Sequence, residues 1–412
     1  MSCKHLLLCA LLSIGAYAQS ISIDVLDATI KDKRVSGASV ILQQTGEASL
    51  QAKTGANGKA TIALPKPIKA DATLIVKKEG YSDLVVKCPC DGLTYALSPV
   101  MQSLDGLRVV LSWGAQPLDL DSHLVFGSQH VYFDDPASAY GGNAYLDVDD
   151  RNSFGPETIT IQKLEPNQAY IYAVHNFSRS YCDVKPSNRG CDSAITSIAS
   201  SGAKVFVYSG RSLVKTYVPP QEGGALWTVF RIDQNGQIVD LNALHEITPN
   251  DIQFPDGDDN LNLIAPRKMS GLIKTLAQTD NRAAASAIDP RAEAINKKGE
   301  KAYHSGDIEG SIRYYQNAVE IDPAFAQAYS NMGLSYLKLD RFSESIWANR
   351  NAIALASGEE ANVIRASSYY NIARLYEKYA DFSQALRYYE LAKAQNANPT
   401  YDKAIARVKA KR

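Results

Sequence analysis

The C-terminal third of the sequence repeats itself, and this repetition constrains the fold more than any other feature. Residues 291–412 have the periodicity of amphipathic helices, and small and aromatic positions recur after 34 residues. The recurring pairs are Gly299 with Gly333, Gly306 with Asp340, Ile308 with Phe342, and Ala318 with Ala352. A third copy follows after 40 residues, because of an insertion near residues 358–363. A short helical unit cannot bury its hydrophobic face alone, so the pattern predicts stacked helix pairs with one elongated core.

The spacing of these small and aromatic residues resembles the tetratricopeptide repeat (TPR). The resemblance covers residues 292–398 and implies three repeats, which a helix within residues 399–412 caps. It implies a TPR domain over 291–412, a curved solenoid whose inner face is lined by the first helix of each pair. Such faces bind proteins or peptides, so the resemblance implies a partner of this class.

Nine residues of the repeat frame are expected to face the groove of this solenoid. They are Asn296, Glu300, Tyr303, Ser330, Leu334, Lys338, Tyr370, Arg374 and Lys378. Ordinary helix packing for the tyrosines and simple solvation for the cations are the alternatives. Residues 291–412 contain 18 basic and 14 acidic residues, a net charge of +4, which favours an acidic peptide.

The N-terminus has the pattern of a signal peptide over residues 1–18. Lys4 precedes the apolar run from Leu6 to Ile14, which is too short to span a bilayer, and small residues follow at Ala16 and Ala18. We expect cleavage after Ala18 and a periplasmic or secreted protein. No later segment offers about 18 uninterrupted apolar residues, so we predict no transmembrane segment.

Four cysteines follow the predicted cleavage site, an even number that favours disulfides in an oxidising compartment. Cys182 and Cys191 bracket a polar loop that has little to bury, and we expect a disulfide between them. Cys88 and Cys90 are separated by one residue, so a bridge between them is strained. A structural bridge and a redox-active pair are both open for that motif.

Residues 19–103 alternate short apolar strands with glycine-rich turns at roughly ten-residue spacing, which predicts a small antiparallel β-sandwich. The run 35–40, the turn 54–60 and residues 78–81 resemble the carboxypeptidase regulatory-like domain. This resemblance implies a non-catalytic spacer or adhesive module.

A second β-rich unit, residues 106–245, contains the polar residues that are the best candidates for metal binding or catalysis. Asp119, Asp121 and His123 fall on one face of a predicted strand, and Asp147 with Asp149 fall on one face of another. Carboxylates stacked in this way repel each other unless a cation or a positive side chain lies between them, and oxygen-rich clusters suit Ca²⁺. The alternative is that these aspartates cap turns through backbone N–H groups. Catalysis by His123 with the carboxylates is a third interpretation, and zinc is not favoured because His123 has no His or Cys partner at ligand spacing.

The runs 113–114, 119–123, 146–149 and 155–157 together resemble the YfaP-like family of exported bacterial β-sandwich domains. The resemblance implies a fold more firmly than an activity. This chain departs from the family pattern at Ser122 and in an insertion that contains Cys182 and Cys191.

The predicted fold class is multidomain, with two all-β sandwiches followed by an all-α TPR solenoid, and a linker over 246–290. A net charge of −1 supplies no global field for a nucleic acid. Because no complete catalytic constellation is present, we predict a non-enzymatic exported scaffold whose groove docks a partner, with no cofactor. The alternatives are a calcium-dependent adhesive or carbohydrate-binding protein and, third, a hydrolase.

Overall fold

A computed structural model describes residues 19–137, 142–165, 167–184, 186, 191, 197–253, 268–278 and 287–412. The predicted fold class is confirmed: an all-β region with four sheets precedes a helical region. The signal peptide predicted over residues 1–18 lies outside the described residues.

The first β-domain is formed by two sheets packed face to face. Its strands are β1 (Gln19–Asp27), β2 (Ser39–Gln43), β3 (Leu50–Lys53), β4 (Lys59–Leu64), β5 (Thr73–Lys77), β6 (Leu84–Lys87) and β7 (Thr94–Leu97). One sheet has the order β4-β1-β7 and the other β3-β2-β5-β6. Alternate side chains of β1, Ile21, Ile23 and Val25, are buried between the sheets, as the pleat of a strand requires.

The second β-domain also contains two sheets. Its strands are β8 (Leu107–Ser112), β9 (Asp121–Phe126), β10 (Gln129–Val131), β11 (Ala144–Val148), β12 (Glu157–Ile161), β13 (Tyr170–His175), β14 (Lys204–Ser209), β15 (Ser212–Tyr217), β16 (Leu226–Ile232) and β17 (Ile238–His245). The sheets have the orders β10-β9-β13-β16-β17 and β11-β12-β8-β14-β15. Trp113, Trp227 and Phe230 fill the space between them.

Strand β8 joins the two β-domains because both of its faces are buried. Val109 and Leu111 belong to the core of the second domain, whereas Val110 packs into the core of the first. Arg108 reaches back across the boundary and donates hydrogen bonds to Ser98 Oγ at 2.8 Å and to the Pro99 carbonyl at 2.7 Å. The two domains therefore share a continuous apolar interface.

Two short helices pack on the second β-domain: α1 (Phe177–Val184) and α2 (Met269–Leu276). Helix α2 lies in the segment predicted as a linker, 246–290, and buries Met269 and Ile273 against the outer face of strands β9 and β13. The four-residue spacing of these apolar side chains gives the helix one hydrophobic face. The described part of this segment therefore includes a short helix with one buried face, while many of its other residues are exposed.

The helical region consists of three antiparallel helix pairs and a final helix. They are α3 (Pro290–His304) with α4 (Ile308–Ile321), α5 (Ala326–Lys338) with α6 (Phe342–Leu355), α7 (Ala361–Lys378) with α8 (Phe382–Gln395), and α9 (Pro399–Lys409). Within the described ranges, none of the helices is long and apolar enough to cross a bilayer.

The repeated glycines permit the close approach of paired helices. A Cβ atom at Gly299 would lie 2.5 Å from the Tyr315 ring, and one at Gly333 would lie 2.3 Å from Asn349 Nδ2. Both contacts are too short for any larger residue unless the Tyr315 or Asn349 side chain moves. Residues 34 positions apart, Gly299 and Gly333, therefore make the same close helix-helix contact in successive repeats.

The solenoid is fixed to the β-domains mainly through α6. Arg350 forms a 3.1 Å ion pair with Asp105 in the segment that precedes β8, and the Tyr376 hydroxyl donates a hydrogen bond to the same carboxylate. Both charged groups are largely buried. Ser343 Oγ donates to the Ser103 carbonyl at 2.9 Å. The short segment between the β-domains therefore also holds the helical domain.

We predict that Asp105→Ala destabilises the chain by roughly 3–5 kcal/mol, because it leaves the Arg350 guanidinium buried without its counter-charge. Urea unfolding followed by circular dichroism measures the effect. Asp83→Ala removes an exposed ion pair with Lys77 and serves as the control, with an expected cost within about 1 kcal/mol. Equal effects of the two substitutions would contradict the prediction.

Candidate functional site

The first candidate site is a groove on the inner face of the solenoid, with a volume of about 550 Å³. Six of the nine residues predicted for this face line it: Tyr303, Leu334, Lys338, Tyr370, Arg374 and Lys378. They come from α3, α5 and α7, the first helices of the three pairs. The wall is completed by α9, from which Arg407 extends.

The other three predicted residues form hydrogen bonds between neighbouring helices. Glu300 Oε1 accepts from Asn296 Nδ2 at 2.9 Å and from Asn331 Nδ2 at 3.1 Å. Ser368 Oγ on α7 lies 3.0 Å from Ser330 Oγ. These polar groups bond to other residues of the protein. They therefore help to hold α3, α5 and α7 together and do not line the groove.

The cations of the groove divide into two classes. Lys378 pairs with Asp340 at 2.5 Å, and Arg407 pairs with Glu377 at 2.7 Å. In contrast, Lys338 and Arg374 are exposed and have no ion pair or hydrogen-bond partner among the residues that the structure describes. The groove therefore presents two uncompensated positive charges.

Aromatic side chains pack against each other at one side of the groove. The Tyr370 ring lies 5.4 Å from that of Tyr389 and 5.1 Å from that of Tyr401. Both contacts are in the range of favourable ring pairs. Tyr370 therefore has a packing role, as the alternative interpretation of the sequence proposed, and lines the groove as well.

Glu377 connects the groove wall to the capping helix. Its carboxylate accepts hydrogen bonds from Arg407 and from the Tyr389 hydroxyl at 2.8 Å, and it pairs with Lys411 at 3.3 Å. The hydrogen bond from Arg407 is the main cause that lowers the pKa of Glu377 to about 2, against the opposing effect of burial.

This pKa predicts a pH-dependent contribution to stability. A carboxyl group with a lowered pKa stabilises the folded state above its ordinary pKa of 4.5, and the contribution disappears as the pH falls toward about 2. Glu377→Gln should lower the melting temperature at pH 7 and lower it less at pH 2.5. The control is Glu390→Gln, which removes an exposed pair with Lys409. A Glu377→Gln effect that is independent of pH would contradict this assignment.

The second candidate site lies in the second β-domain, where three buried carboxylates meet. Asp119, Asp121 and Glu157 each bring an oxygen within 4.8 Å of the other two. Asp119 precedes β9, Asp121 begins it, and Glu157 begins β12 in the opposite sheet. Glu157 Oε2 accepts a hydrogen bond from the Ser122 backbone N–H, but Oε1 has no hydrogen-bond partner among the residues for which the structure is described. The cluster therefore lies where the first residues of β9 and β12, each the second strand of its sheet, approach each other.

The structure separates the four aspartates predicted for a cation. Asp119 and Asp121 are in the cluster, and Asp149 is close enough to raise the pKa of both. Asp147 instead faces Arg108 and Thr160. The sequence analysis assigned Glu157 no role. Its position beside Asp121 depends on the pairing of β12 with β8 and on the contact of β12 with β9, and the sequence alone shows neither.

Two histidines extend this cluster. Asp121, His123 and His175 each bring one possible ligand atom within 4.8 Å of the other two, and all three are buried. The register of β9 and β13 places His175 opposite Asp121. His175 is the partner that His123 lacked when ligand spacing was read along the chain. We therefore correct that reading, because an antiparallel register supplies a ligand set that no short motif shows.

The electrostatics of the carboxylates are unfavourable to three negative charges. Burial raises the pKa of Asp119 to about 7, and the neighbouring Asp149 adds to the shift. Burial, followed by repulsion from the other carboxylates, raises the pKa of Asp121 and of Glu157 well above their ordinary values.

The histidines are shifted in the opposite sense. Burial lowers the pKa of His175 to about 3. Burial, with smaller contributions from His130 and His175, lowers the pKa of His123 well below its ordinary value. Both imidazoles are therefore neutral at pH 7, which is the form that binds metals.

A pocket of about 430 Å³ opens onto the carboxylates. It is lined by Lys31, Leu118, Asp119, Asp121, Phe133, Arg151, Asn152, Phe177, Ser178 and Tyr181. Disulfides join Cys182 to Cys191, beside this pocket, and Cys88 to Cys90 in the first β-domain. The strand-to-helix turn between β13 and α1 carries Asn176 in place of the Ser or Cys of a nucleophile elbow.

Comparison with known proteins identifies the helical region. The sequence profile of the TPR repeat matches residues 299–340. An uncharacterized protein of Methanocaldococcus jannaschii, MJ0572, is 33% identical over 55 residues, which are 13% of this chain and 64% of that relative. The match thus spans less than two thirds of the relative.

Solved TPR domains also align with this chain. The N-terminal domain of stress-induced protein-1 from C. elegans aligns at 21% identity and a TM-score of 0.28. The alignment covers 30% of this chain and 99% of that chain. The TPR2B domain of yeast Sti1, solved as a complex with pHsp70, aligns at 20% identity and a TM-score of 0.27. The alignment covers 30% of this chain and 100% of that chain. The profile match together with the helix pairs establishes that the C-terminal region carries TPR repeats.

Proposed function

We propose that this protein is a non-catalytic interaction scaffold whose TPR groove binds an acidic, extended segment of a protein partner. The observation that carries the proposal is the pair of uncompensated cations, Lys338 and Arg374, on the wall of the groove. Charges without internal partners attract a ligand of opposite sign and set the register in which it binds. Tyr303, Leu334 and Tyr370 supply the adjoining apolar surface.

The mode of attachment of the solenoid supports this assignment. The β-domains hold α6, the second helix of its pair, through Ser343, Glu344 and Arg350. The groove is lined by first helices and therefore faces away from most of this contact. A solenoid held by its outer helices keeps its inner face available, and a fixed geometry reduces the entropic cost of binding.

The compartment is a further part of the proposal: we place the protein in the periplasm or outside the cell. The apolar run Leu6–Ile14 with Ala16 and Ala18 supports export, and the two disulfides are compatible with an oxidising environment. The β-domains then act as the platform that presents the solenoid to its partner.

The groove is tested by charge reversal. We predict that Lys338→Glu combined with Arg374→Glu lowers recovery of the partner at least about tenfold in cross-linking pull-downs from the native envelope, because attraction becomes repulsion. The matched control reverses Arg313 and Lys403, two exposed cations outside the groove. Quantitative mass spectrometry of the captured proteins gives the readout.

The outcome also shows whether the partner binds to the groove or to the β-domains. A partner that the groove variant loses and the control variant keeps supports the proposal. A partner that both variants retain would place the binding surface on the β-domains and contradict it. Raising the salt concentration should weaken capture by the unsubstituted chain, since exposed charge pairs are screened beyond about 10 Å at 0.1 M.

Export has its own test. Edman sequencing of the mature protein should begin at Gln19, and the protein should be recovered from the envelope or the medium. Leu11→Arg interrupts the apolar run and should retain the full-length precursor inside the cell. The conservative Leu11→Ile is the control. Recovery of an intact N-terminus from the cytoplasm of unaltered cells would contradict the proposed compartment.

A further inference from the structure

We propose that the second β-domain binds a divalent transition metal ion, with Zn²⁺ as the best-fitting ion, through His123 Nε2, His175 Nδ1 and Asp121 Oδ2. Each of these three atoms is buried and has no hydrogen-bond partner within the described ranges of the chain. His123 and His175 are fully buried, so these nitrogens have no access to solvent either. Unpaired buried polar atoms are costly, and three that converge indicate a ligand that satisfies all of them.

The geometry requires only a small adjustment to coordinate an ion. His175 Nδ1 lies 4.0 Å from Asp121 Oδ2. Ligand atoms about 2.0–2.1 Å from a tetrahedral zinc are about 3.3 Å apart, so side-chain rotations that bring this pair closer by about 0.7 Å are sufficient. Asp121 and His175 are paired residues of adjacent strands, and His123 Nε2 belongs to the same group of ligand atoms within 4.8 Å.

The second nitrogen of each imidazole is held by a neighbour. His123 Nδ1 lies 2.8 Å from His130 Nε2, and His175 Nε2 lies 2.8 Å from Ser180 Oγ. Such contacts orient metal-binding histidines and select the tautomer that leaves the other nitrogen free for the ion. Both rings thus have the arrangement of a ligand and not of a histidine that merely fills space.

The donor set distinguishes between classes of metal. Calcium takes six to eight oxygen ligands and has little affinity for imidazole, whereas two nitrogens and a carboxylate suit zinc and its first-row neighbours. Asp119 and Glu157 contribute further carboxylates beside Asp121, which lower the energy of a dication in this buried position. We therefore assign the site to a transition metal instead of the calcium expected from the aspartates alone.

The carboxylates beside the site face a pocket, and the ion would join two adjacent strands of one sheet. Asp119 and Asp121 line the 430 Å³ pocket that opens to solvent. Asp121 and His123 belong to β9, and His175 belongs to the adjacent strand β13 of the same sheet. Binding should therefore stabilise the folded state, because an ion that binds only the folded chain shifts the unfolding equilibrium.

The experiment uses the full mature chain. After removal of metals with a chelator, isothermal titration with Zn²⁺ should show one site per chain, and the melting temperature should rise on addition of Zn²⁺. His175→Gln should weaken Zn²⁺ binding at least about tenfold and remove the thermal shift. The control is His245→Gln, which replaces a histidine of the same domain that contacts Thr228 instead of the cluster.

A spectroscopic measurement on the unsubstituted chain makes the test independent of whether His175→Gln folds. Zinc-edge X-ray absorption of the loaded protein should show scattering from two imidazole rings. A shell of oxygen atoms alone would overturn the assignment. So would a failure of Zn²⁺ to bind, or binding of Ca²⁺ at this site with equal affinity in the unsubstituted chain and His175→Gln.

Discussion

The arrangement of the whole chain depends on one short segment, residues 98–112, in which three domains meet. Arg108 donates to the first β-domain, Val109 and Leu111 enter the core of the second, and Asp105 holds Arg350 of the solenoid. A buried ion pair contributes specificity more than net stability, since both charges lose their hydration. Its role here is to define one orientation of the solenoid, which an apolar contact alone would leave less determined.

That orientation decides which surface of the solenoid remains open. The contacts with the β-domains use α6 and one end of α7, and the first helices of the pairs are left to line the groove. Within the groove, acidic neighbours neutralise Lys378 and Arg407 but not Lys338 or Arg374. The positive character of the surface thus comes from two specific positions and not from the net charge of the domain.

The sequence predicted the solenoid well and the buried cluster poorly, for a physical reason. Contacts between paired helices connect residues close in the chain, so Gly299 and Gly333 appear as a period that can be read directly. The cluster depends on strand pairing: His175 is 52 residues from His123, and Glu157 comes from another sheet. Asp121 and His123 were visible as one strand face, but no local pattern shows which strands lie beside it.

Helix α1 and the disulfide that follows from it lie beside that cluster. Helix α1 carries Ser180, which holds the His175 ring, and Cys182, which the disulfide ties to Cys191. A helix of eight residues is marginal on its own, so the covalent tie favours the position from which Ser180 reaches the histidine. Helix α1 therefore has a local role: it holds the ring of His175, one of the two buried imidazoles of the cluster.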